Sequence, residues 1–380
     1  MKSFPLTFSE SAGWRMASGT LPQRADLILY FGARDALASG ACYASLREHF
    51  ADAHILGCST GGQIRSGDVV DDEVAAVALC FDNTKVALAC APAPDPSASN
   101  GCGEAIARAL AADDLAGIFV LSDGLNVNGS ELVRGISRVT GGRVVITGGM
   151  AGDGAKFETT LVSGDCPPQS HLVAAVGFYG DAVRIGHGNA GGWDEFGPRR
   201  RITRSSGNVL YELDGEPALD LYKRYLGEEA AGLPGTALLF PLRIRDPQTA
   251  GHELVRTILS VDHEARSMTF AGDIPQGWTA QLMRGNFDRL AAGAADAARQ
   301  AATGIGETNN GVAILVSCIG RRLLMGQHTM DEVEAAGAEL GPRLPRVGFY
   351  SYGEISPHGE AGVCQLHNQT MTITAITEAA

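Results

Sequence analysis

The chain has 380 residues, of which 49 are glycine, and its formal net charge is −13. Glycine is thus nearly twice as frequent as its usual share of ~7%. A hydrophobic content of 45% with only 19% charged residues excludes an intrinsically disordered chain. The negative charge repels phosphate backbones, so nucleic acid is not an expected partner.

No segment of the sequence predicts export or membrane insertion. Residues 1–20 lack the uninterrupted apolar core of a signal peptide. The longest apolar stretches, such as residues 172–180 and 311–320, are far shorter than the ~20 residues that span a bilayer. The 8 cysteines form no CxxC pair, so neither a zinc site nor a disulfide framework is predicted. We expect a cytoplasmic protein whose cysteines are mostly buried.

The first half of the chain alternates strand-like and helix-like segments. Apolar runs predict strands at residues 26–31, 53–57, 73–81, 85–91, 116–121 and 144–147. Helix formers between them predict helices at residues 40–50, 103–112 and from about 130 to 138. This alternation is typical of an α/β sheet.

From about residue 155 the pattern changes to consecutive strands separated by glycine turns. Strands are predicted at residues 157–162, 171–178, 183–188, 201–211, 236–240, 253–261, 267–271, 311–318, 346–350 and 363–374. Helices are predicted at residues 217–226 and, as the longest helical stretch, 279–302. The sequence therefore predicts a mixed α/β (α+β) fold with two domains, each a β-sheet core covered by helices.

Three glycine-rich turns follow strands of the first half, at residues 57–62, 122–124 and 148–154. Glycine permits positive φ and lets backbone N–H groups approach a ligand closely. Their spacing is neither that of a phosphate-binding loop nor that of a dinucleotide fingerprint, and a single turn of this kind fits a structural role. Three such turns at strand ends of one domain predict a shared pocket. Its candidate ligand-binding residues are Cys58, Ser59, Thr60, Gly61, Asp123, Asn126, Gly149, Gly152 and Asp153.

Longer motifs follow in the second half. They are LYELDGEPALDLYKRYLG at residues 210–227, FAGDIPQG at 270–277, SCIGRR at 317–322, GFYSYGEISP at 348–357 and CQLHNQTMT at 364–372. Together with ILGCSTGG and GGMAGDG of the first half, they make the chain resemble the FIST family, bacterial sensory proteins with an N-terminal and a C-terminal FIST domain. The resemblance covers about residues 25 to 375 and implies an N-terminal domain at 25–215 and a C-terminal domain at 216–375.

The resemblance implies a signalling protein rather than an enzyme. FIST proteins are associated with two-component and cyclic-di-nucleotide systems, and small molecules such as amino acids have been suggested as ligands. One branch of similar proteins binds haem, senses nitric oxide and controls a histidine kinase, and the family motifs leave open whether this chain belongs to it. The FIST-like segments use up the chain, so we expect output in trans through a sensor histidine kinase or a diguanylate cyclase or phosphodiesterase.

The C-terminal motifs supply the remaining candidate residues. Arg321 and Arg322 follow an apolar strand and could clamp a carboxylate bidentately, although acidic side chains of the chain itself would also satisfy them. Cys318 beside these cations is either a reactive thiol of depressed pKa or a buried structural one. Further candidates are Tyr352 and Glu354, just after the strand predicted at 346–350, and His367 and Asn368, within the final predicted strand.

Three functional hypotheses follow. The first is a sensor of a small anionic metabolite, read by Arg321, Arg322 and backbone N–H groups. The second is a nitric-oxide sensor that binds haem b, in which His367 is the candidate axial ligand because a neutral imidazole is the usual one. The alternative axial ligands are His187, His252, His328 and His358. The third is a Cys-dependent enzyme built on Cys318, for which the sequence offers no recognisable catalytic motif.

Overall fold

The computed structural model describes residues 1–16, 19–249, 252–306, 310–358 and 362–379. The first segment of the chain consists of β1 (Lys2–Ser9), β2 (Gly13–Arg15), β3 (Leu27–Ala33), α1 (Arg34–Ala38), α2 (Ala41–His49), β4 (His54–Thr60), β5 (Gln63–Arg65), β6 (Asp68–Val70) and β7 (Val74–Cys80). The second segment consists of β8 (Lys85–Pro92), α3 (Ser99–Leu110), β9 (Leu115–Ser122), α4 (Gly129–Thr140), β10 (Val145–Met150), β11 (Val162–Gly164) and β12 (Leu172–Tyr179).

The third segment begins with β13 (Val183–Ala190) and is interrupted by an insertion. The insertion contains β14 (Trp193–Ser206), β15 (Val209–Leu213), β16 (Glu216–Pro217), α5 (Ala218–Leu226), β17 (Leu242–Arg245), β18 (Glu253–Arg256), β19 (Ile258–Asp262), β20 (Ser267–Phe270) and β21 (Thr279–Gly285). The segment then continues with α6 (Phe287–Ile305), β22 (Val312–Cys318), α7 (Ile319–Met325), α8 (Thr329–Leu340), β23 (Arg346–Ser351), β24 (Gly353–His358), β25 (Val363–His367) and β26 (Met371–Glu378).

Each segment forms the centre of a sheet with the same arrangement of strands. A parallel pair joined by helices lies in the middle, namely β3–β4, β9–β10 and β22–β23. The last strand of the segment (β7, β12 or β26) pairs antiparallel with the first member of that pair, and the opening strand (β1, β8 or β13) pairs with it in turn. Among the described residues, the strand orders are β2-β1-β7-β3-β4-β11, β8-β12-β9-β10-β24-β25 and β13-β26-β22-β23-β5-β6.

The three segments exchange strands in a closed cycle. Strand β11 of the second segment pairs with β4 of the first, β24 of the third with β10 of the second, and β5 of the first with β23 of the third. The exchanged strands are in equivalent register, with Cys58 opposite Val162, Gly149 opposite Glu354 and Phe349 opposite Gln63. Each segment therefore completes a sheet that belongs mainly to another segment.

The glycine-rich motifs lie at the points of exchange. Gly57, Gly148 and Gly348 occupy the same place in β4, β10 and β23, packed against the backbone of the parallel neighbour. A Cβ atom on Gly148 or Gly348 would lie 1.9 Å from a carbonyl oxygen of that neighbour, and one on Gly57 would lie 2.5 Å away. Only glycine permits this approach.

A ring of backbone hydrogen bonds joins the three segments just beyond these glycines. Each bond runs from the N–H four residues after one glycine to the carbonyl oxygen two residues after another: Gly61 to Tyr350 (2.8 Å), Gly152 to Ser59 (2.9 Å) and Tyr352 to Met150 (3.2 Å). The sequence motifs of both halves thus meet at one junction.

The insertion forms a separate curved sheet. Its strands run in the order β18-β17-β21-β14-β15-β20-β19, with β16 beside β15. Their inward side chains, such as Ile202, Leu210, Ile244 and Phe270, form a core of their own. Strand β18, at one edge of this sheet, contacts β25, at one edge of the sheet centred on β9 and β10.

The predicted mixed α/β class is confirmed, but several predicted elements were wrong. Of the strand predicted at 157–162 only Val162 lies in a strand, and the strands predicted at 201–211, 253–261 and 363–374 are each divided into two. Residues 236–239 lie in a 3₁₀ helix (Gly235–Leu239) that Phe240 caps, rather than in a strand, since Pro234 and Gly235 favour a turn there. The helix predicted at residues 279–302 is divided, because Asn286 caps a helix that begins only at Phe287 and leaves Thr279–Gly285 as a strand. Nowhere in the described ranges is a helix long and apolar enough to cross a membrane.

The domain boundary predicted at residues 215 and 216 stays a prediction. It falls inside the insertion, between β15 and β16, and β14 before it pairs with β21 after it. Two further sheets contain strands from both sides of it.

Candidate ligand-binding site

At the junction of the segments, the polar groups of the first glycine-rich turn bind the chain itself. Cys58 is fully buried in β4. The Thr60 hydroxyl donates to the carbonyl oxygen of Gly32 (3.3 Å), and the Ser59 hydroxyl accepts the N–H of Leu161 (2.9 Å). The turn is thus packed into the junction.

Asp123 and Asn126 close the turn that follows β9. The Asp123 carboxylate accepts the N–H groups of Leu125 (2.9 Å), Asn126 (3.0 Å) and His171 (2.7 Å), and the hydroxyl of Thr160 (2.8 Å). Burial alone would raise the pKa of Asp123, but these hydrogen bonds outweigh it and lower the pKa. The carboxylate therefore anchors the turn as a permanent anion.

Asp153 anchors the third glycine-rich turn in the same way. It accepts the N–H groups of Phe157, Glu158 and Thr159 (2.9 Å each) and the hydroxyl of Tyr352. Burial would raise the pKa of Asp153, and these bonds lower it. The Tyr352 ring also stacks on Phe157, with centroids 4.5 Å apart. Tyr352 thus connects a C-terminal motif to the turn.

Arg321 belongs to a buried ion pair beneath β22. Its guanidinium lies 2.7 Å from the carboxylate of Glu332, and both side chains are fully buried. The carboxylate also accepts the hydroxyls of Ser317 and Tyr350 (2.9 Å each). The guanidinium donates to two backbone carbonyls, one of them that of Leu290 (2.9 Å). All of these partners belong to the chain itself.

Arg322 links the third segment to the first. Its guanidinium forms a bidentate pair with Asp71 (2.8 and 2.7 Å) and donates to the carbonyl oxygen of Gly61. It also lies 5.3 Å from the centroid of the Tyr350 ring. The guanidinium that was predicted to bind a ligand carboxylate therefore binds the carboxylate of Asp71, in the loop between β6 and β7.

Cys318 and Glu354 are buried close together at the junction. Burial, and then the nearby Glu354 carboxyl, raise the pKa of the Cys318 thiol far above its ordinary value. Burial likewise raises the pKa of Glu354 to about 8, although the carboxyl accepts the hydroxyls of Ser351 (2.7 Å) and Thr370 (2.9 Å). Cys318 is therefore a neutral thiol at neutral pH.

His367 and Asn368 end β25 at the contact with the insertion. The Nε2 atom of His367 lies 3.0 Å from the carbonyl oxygen of Ser356, and burial lowers the His367 pKa to about 3, so the imidazole is neutral. Its ring centroid lies 5.2 Å from that of His358. The Nδ2 atom of Asn368 is buried and has no hydrogen-bond partner within the described ranges.

Two cavities flank β18 where it meets β25, and we call this region the β18–β25 cleft. The larger cavity measures about 320 Å³, and the smaller, which includes His358 and His367, about 180 Å³. Leu254 lines both. The wall of the larger cavity includes the apolar side chains Ile244, Leu254 and Trp278 and the polar side chains His252, Arg256 and Gln365.

A larger hollow of about 1290 Å³ lies elsewhere, beside Met1 and Glu378. The amino group of Met1 is already paired there with Asp82 (2.6 Å) and Glu378 (3.0 Å). Gly306 and Asn310 line this hollow, the residues between them lie outside the described ranges, and none of the motif residues lines it. The β18–β25 cleft is therefore the candidate site.

The cavity beside His367 does not fit a haem. Its volume of about 180 Å³ is below the ~300 Å³ at which cofactor-sized sites begin. The imidazole is suited to metal binding in one respect, since an Nε2–H bonded to a carbonyl leaves Nδ1 with the lone pair. Haem binding through His367 stays a prediction that this cavity does not support.

Arg256 and Trp278 were not predicted from the sequence as site residues, and His252 was named only as an alternative haem ligand. A signal for Arg256 was present, because ELVR at residues 253–256 alternates and places a charge on the same side as Leu254. A charge on a buried face needs a partner. For His252 and Trp278 no local pattern was available, since the cleft forms between distant segments.

Comparison with known families agrees with the motifs. The FIST N domain model matches residues 26–216, and the FIST C domain model matches residues 218–357. Among curated proteins no match is found. FIST domains are sensory domains that bind small ligands. Because the two matches together cover most of the sequence, the chain belongs to the FIST family.

Proposed function

We propose that this FIST protein is a small-ligand sensor whose ligand binds in the β18–β25 cleft. The observation that carries the proposal is the larger cavity, whose volume of about 320 Å³ is that of a small-molecule site. Its apolar wall contains a few convergent polar groups, as such sites do. Among them, the Ser130 hydroxyl is buried without a hydrogen-bond partner in the described part of the chain.

The position of the cleft suits signal transmission. Its walls belong to the insertion on one side and to β25 and α4 on the other, and the two sides are bridged by polar contacts such as Gln365 to His252 (2.9 Å) and Asn128 to Asp273 (3.2 Å). A ligand that contacts both walls would favour the arrangement in which they are close. A sensor requires this kind of differential affinity for two states.

The output is proposed to act in trans in the cytoplasm. A histidine kinase, or a diguanylate cyclase or phosphodiesterase, is the expected partner, because FIST-like proteins are associated with these systems. The motif arginines offer no support for a ligand contact of their own, since Arg321 pairs with Glu332 and Arg322 with Asp71.

Sensing is proposed in preference to catalysis because the thiols near the motifs are protonated. Cys318 lines neither cavity of the cleft. Cys364 does line the larger one, but burial raises its pKa far above the ordinary range and its Sγ–H donates to the carbonyl oxygen of Ile146 (3.3 Å). A protonated thiol is a poor nucleophile.

A substitution that fills the cleft tests the site. Ser137 lines the larger cavity from α4, whereas its neighbour Arg138 is exposed and does not. A panel of small metabolites is screened by thermal shift against wild type, Ser137→Trp and Arg138→Trp. We expect hits to stabilise wild type and Arg138→Trp but not Ser137→Trp. Hits that stabilise Ser137→Trp equally, or a panel without hits, would overturn the proposal.

A further inference from the structure

We infer that the larger cavity contains an anion subsite, in which the guanidinium of Arg256 binds the carboxylate of a small monocarboxylate with an apolar or aromatic body. The inference rests on the proposed function, because it names the chemistry of the ligand in the β18–β25 cleft.

Arg256 is a buried cation in the wall of the cavity. It ends β18 and is only 3% exposed. Its Nε donates to the carbonyl oxygen of Asp273 (3.1 Å), and its Nη1 donates to that of Leu366 (3.0 Å) and more weakly to that of Val255 (3.4 Å). These bonds orient the guanidinium but bring no negative charge to it. Its Nη2 makes no hydrogen bond to any residue that the structure describes.

Two arginines are buried among the described residues, and they differ in whether a carboxylate neutralises their charge. Arg321 has the carboxylate of Glu332 at 2.7 Å. Arg256 has no carboxylate within 4 Å among the described residues, and burial lowers its pKa to about 10, which leaves it protonated at neutral pH. A buried charge without a partner is unfavourable, and a ligand anion would supply that partner.

Asp273, whose charge acts on Arg256, is already engaged by other side chains. The Asp273 carboxylate accepts from Nη2 of Arg134 (3.1 Å) and from Nδ2 of Asn128 (3.2 Å). It presents its backbone carbonyl, rather than its carboxylate, to Arg256. The negative charge of Asp273 therefore acts on Arg256 from nearby, but its carboxylate forms no ion pair with the guanidinium.

The remaining wall indicates the rest of the ligand. Ile244, Leu254 and Trp278 offer an apolar and aromatic surface for the body. One unpaired guanidinium matches a singly charged carboxylate, whereas a phosphate would carry more charge and need further donors. The unpartnered hydroxyl of Ser130 can donate to a second oxygen of the same anion.

A matched pair of probes tests the charge requirement on the wild-type chain. Titration calorimetry compares 3-phenylpropionate with 3-phenylpropionamide, which has the same shape but no charge. We expect the acid to bind at least tenfold more tightly than the amide. Equal affinities, or no saturable binding by any member of a phenylalkanoate series from phenylacetate to 5-phenylpentanoate, would overturn the inference.

Variants of the full chain assign the charge to Arg256. Arg256→Met should weaken binding of the acid much more than binding of the amide, so that the preference for the acid is lost, while Arg256→Lys should retain part of that preference. Arg204→Met, at an exposed arginine paired with Glu212 outside the cleft, is the matched control and should behave as wild type. An acid preference that persists in both Arg256 variants overturns the inference.

The Ser137→Trp variant separates this inference from the proposed function. Loss of binding of both probes there, together with equal affinities in wild type, would leave the cleft as the site and remove only the anion subsite. Probes that bind Ser137→Trp as tightly as wild type would place binding outside the cleft and overturn both.

Discussion

Glu354 and Gln63 occupy the same place in two of the three sheets formed by the segments. Glu354 lies six residues after Gly348, and Gln63 lies six residues after Gly57. Each pairs with a strand of another segment, Glu354 with Gly149 and Gln63 with Phe349. Each is also hydrogen-bonded to the hydroxyl three residues before it, Glu354 to Ser351 and Gln63 to Thr60 (2.7 Å each). One place in the fold thus holds a neutral amide in one sheet and an ionisable carboxyl in another.

Glu354→Gln should stabilise the protein at alkaline pH. The carboxyl ionises near 4.5 when exposed, and burial raises its pKa to about 8 in the folded chain. The unfolded state therefore binds fewer protons between these values, so wild-type stability falls as pH rises from about 4.5 to 8. We expect urea unfolding to show similar stabilities at pH 4.5 and a variant more stable by roughly 1–3 kcal/mol at pH 8.5. A wild-type curve without this slope would contradict the assignment. Gln63→Glu is the reciprocal variant and should introduce a second slope of the same sign.

Removal of the Arg321 guanidinium should lower the free energy of unfolding more than removal of the Arg256 guanidinium. Arg321→Met leaves the carboxylate of Glu332 buried without a cation, which costs about 3–5 kcal/mol. Arg256→Met leaves no paired carboxylate without its cation, so it should destabilise the ligand-free protein less than Arg321→Met does, by at least ~2 kcal/mol. Urea unfolding measures both. The double variant Arg321→Met with Glu332→Gln should recover part of the loss, and equal costs for the two single variants would be inconsistent with this charge distribution.

Alanine at the exchange-point glycines should prevent folding. A Cβ on Gly148 or Gly348 would lie 1.9 Å from a backbone oxygen, which no side-chain rotation can relieve. We expect a loss of more than ~4 kcal/mol for either substitution, measured as the yield of soluble protein and its thermal midpoint. Gly67→Ala is the control, because a Cβ there would meet nothing within 4 Å. Folded Gly148→Ala protein of normal stability would exclude the close backbone approach.

The thiols at the junction should resist alkylation. Cys58 and Cys318 are buried, and burial raises the pKa of both well above the ordinary value. Iodoacetamide at pH 8, followed by peptide mass spectrometry, should leave both unmodified in the native protein and label both in 8 M urea. The half-buried Cys166 is the internal control for labelling under native conditions. Rapid native alkylation of Cys318 would revive the thiol-dependent enzyme hypothesis.

The sequence was sufficient for the fold class and the family, because the long motifs around residues such as Gly348 and Tyr352 are distinctive. It was insufficient for the strand exchange. Strands β5 and β11 are short, and their partners lie about 285 and 105 residues away along the chain, at distances that no local pattern encodes. The adjacent arginines 321 and 322 suggested one clamp, but α7 directs the first towards Glu332 and the second towards Asp71. The alternation of residues 253–256 places Arg256 on a buried face, but only the three-dimensional structure shows that this charge has no carboxylate partner among the described residues.

The cyclic exchange of strands makes the two halves of the chain dependent on each other. A fragment that ended near residue 217 would keep β10 but lose β24, and the complementary fragment would keep β23 but lose β5. Each would carry an open sheet edge, which is a template for aggregation. The FIST N and FIST C matches therefore name two stretches that exchange strands with each other, and we expect neither to stay soluble when it is expressed alone.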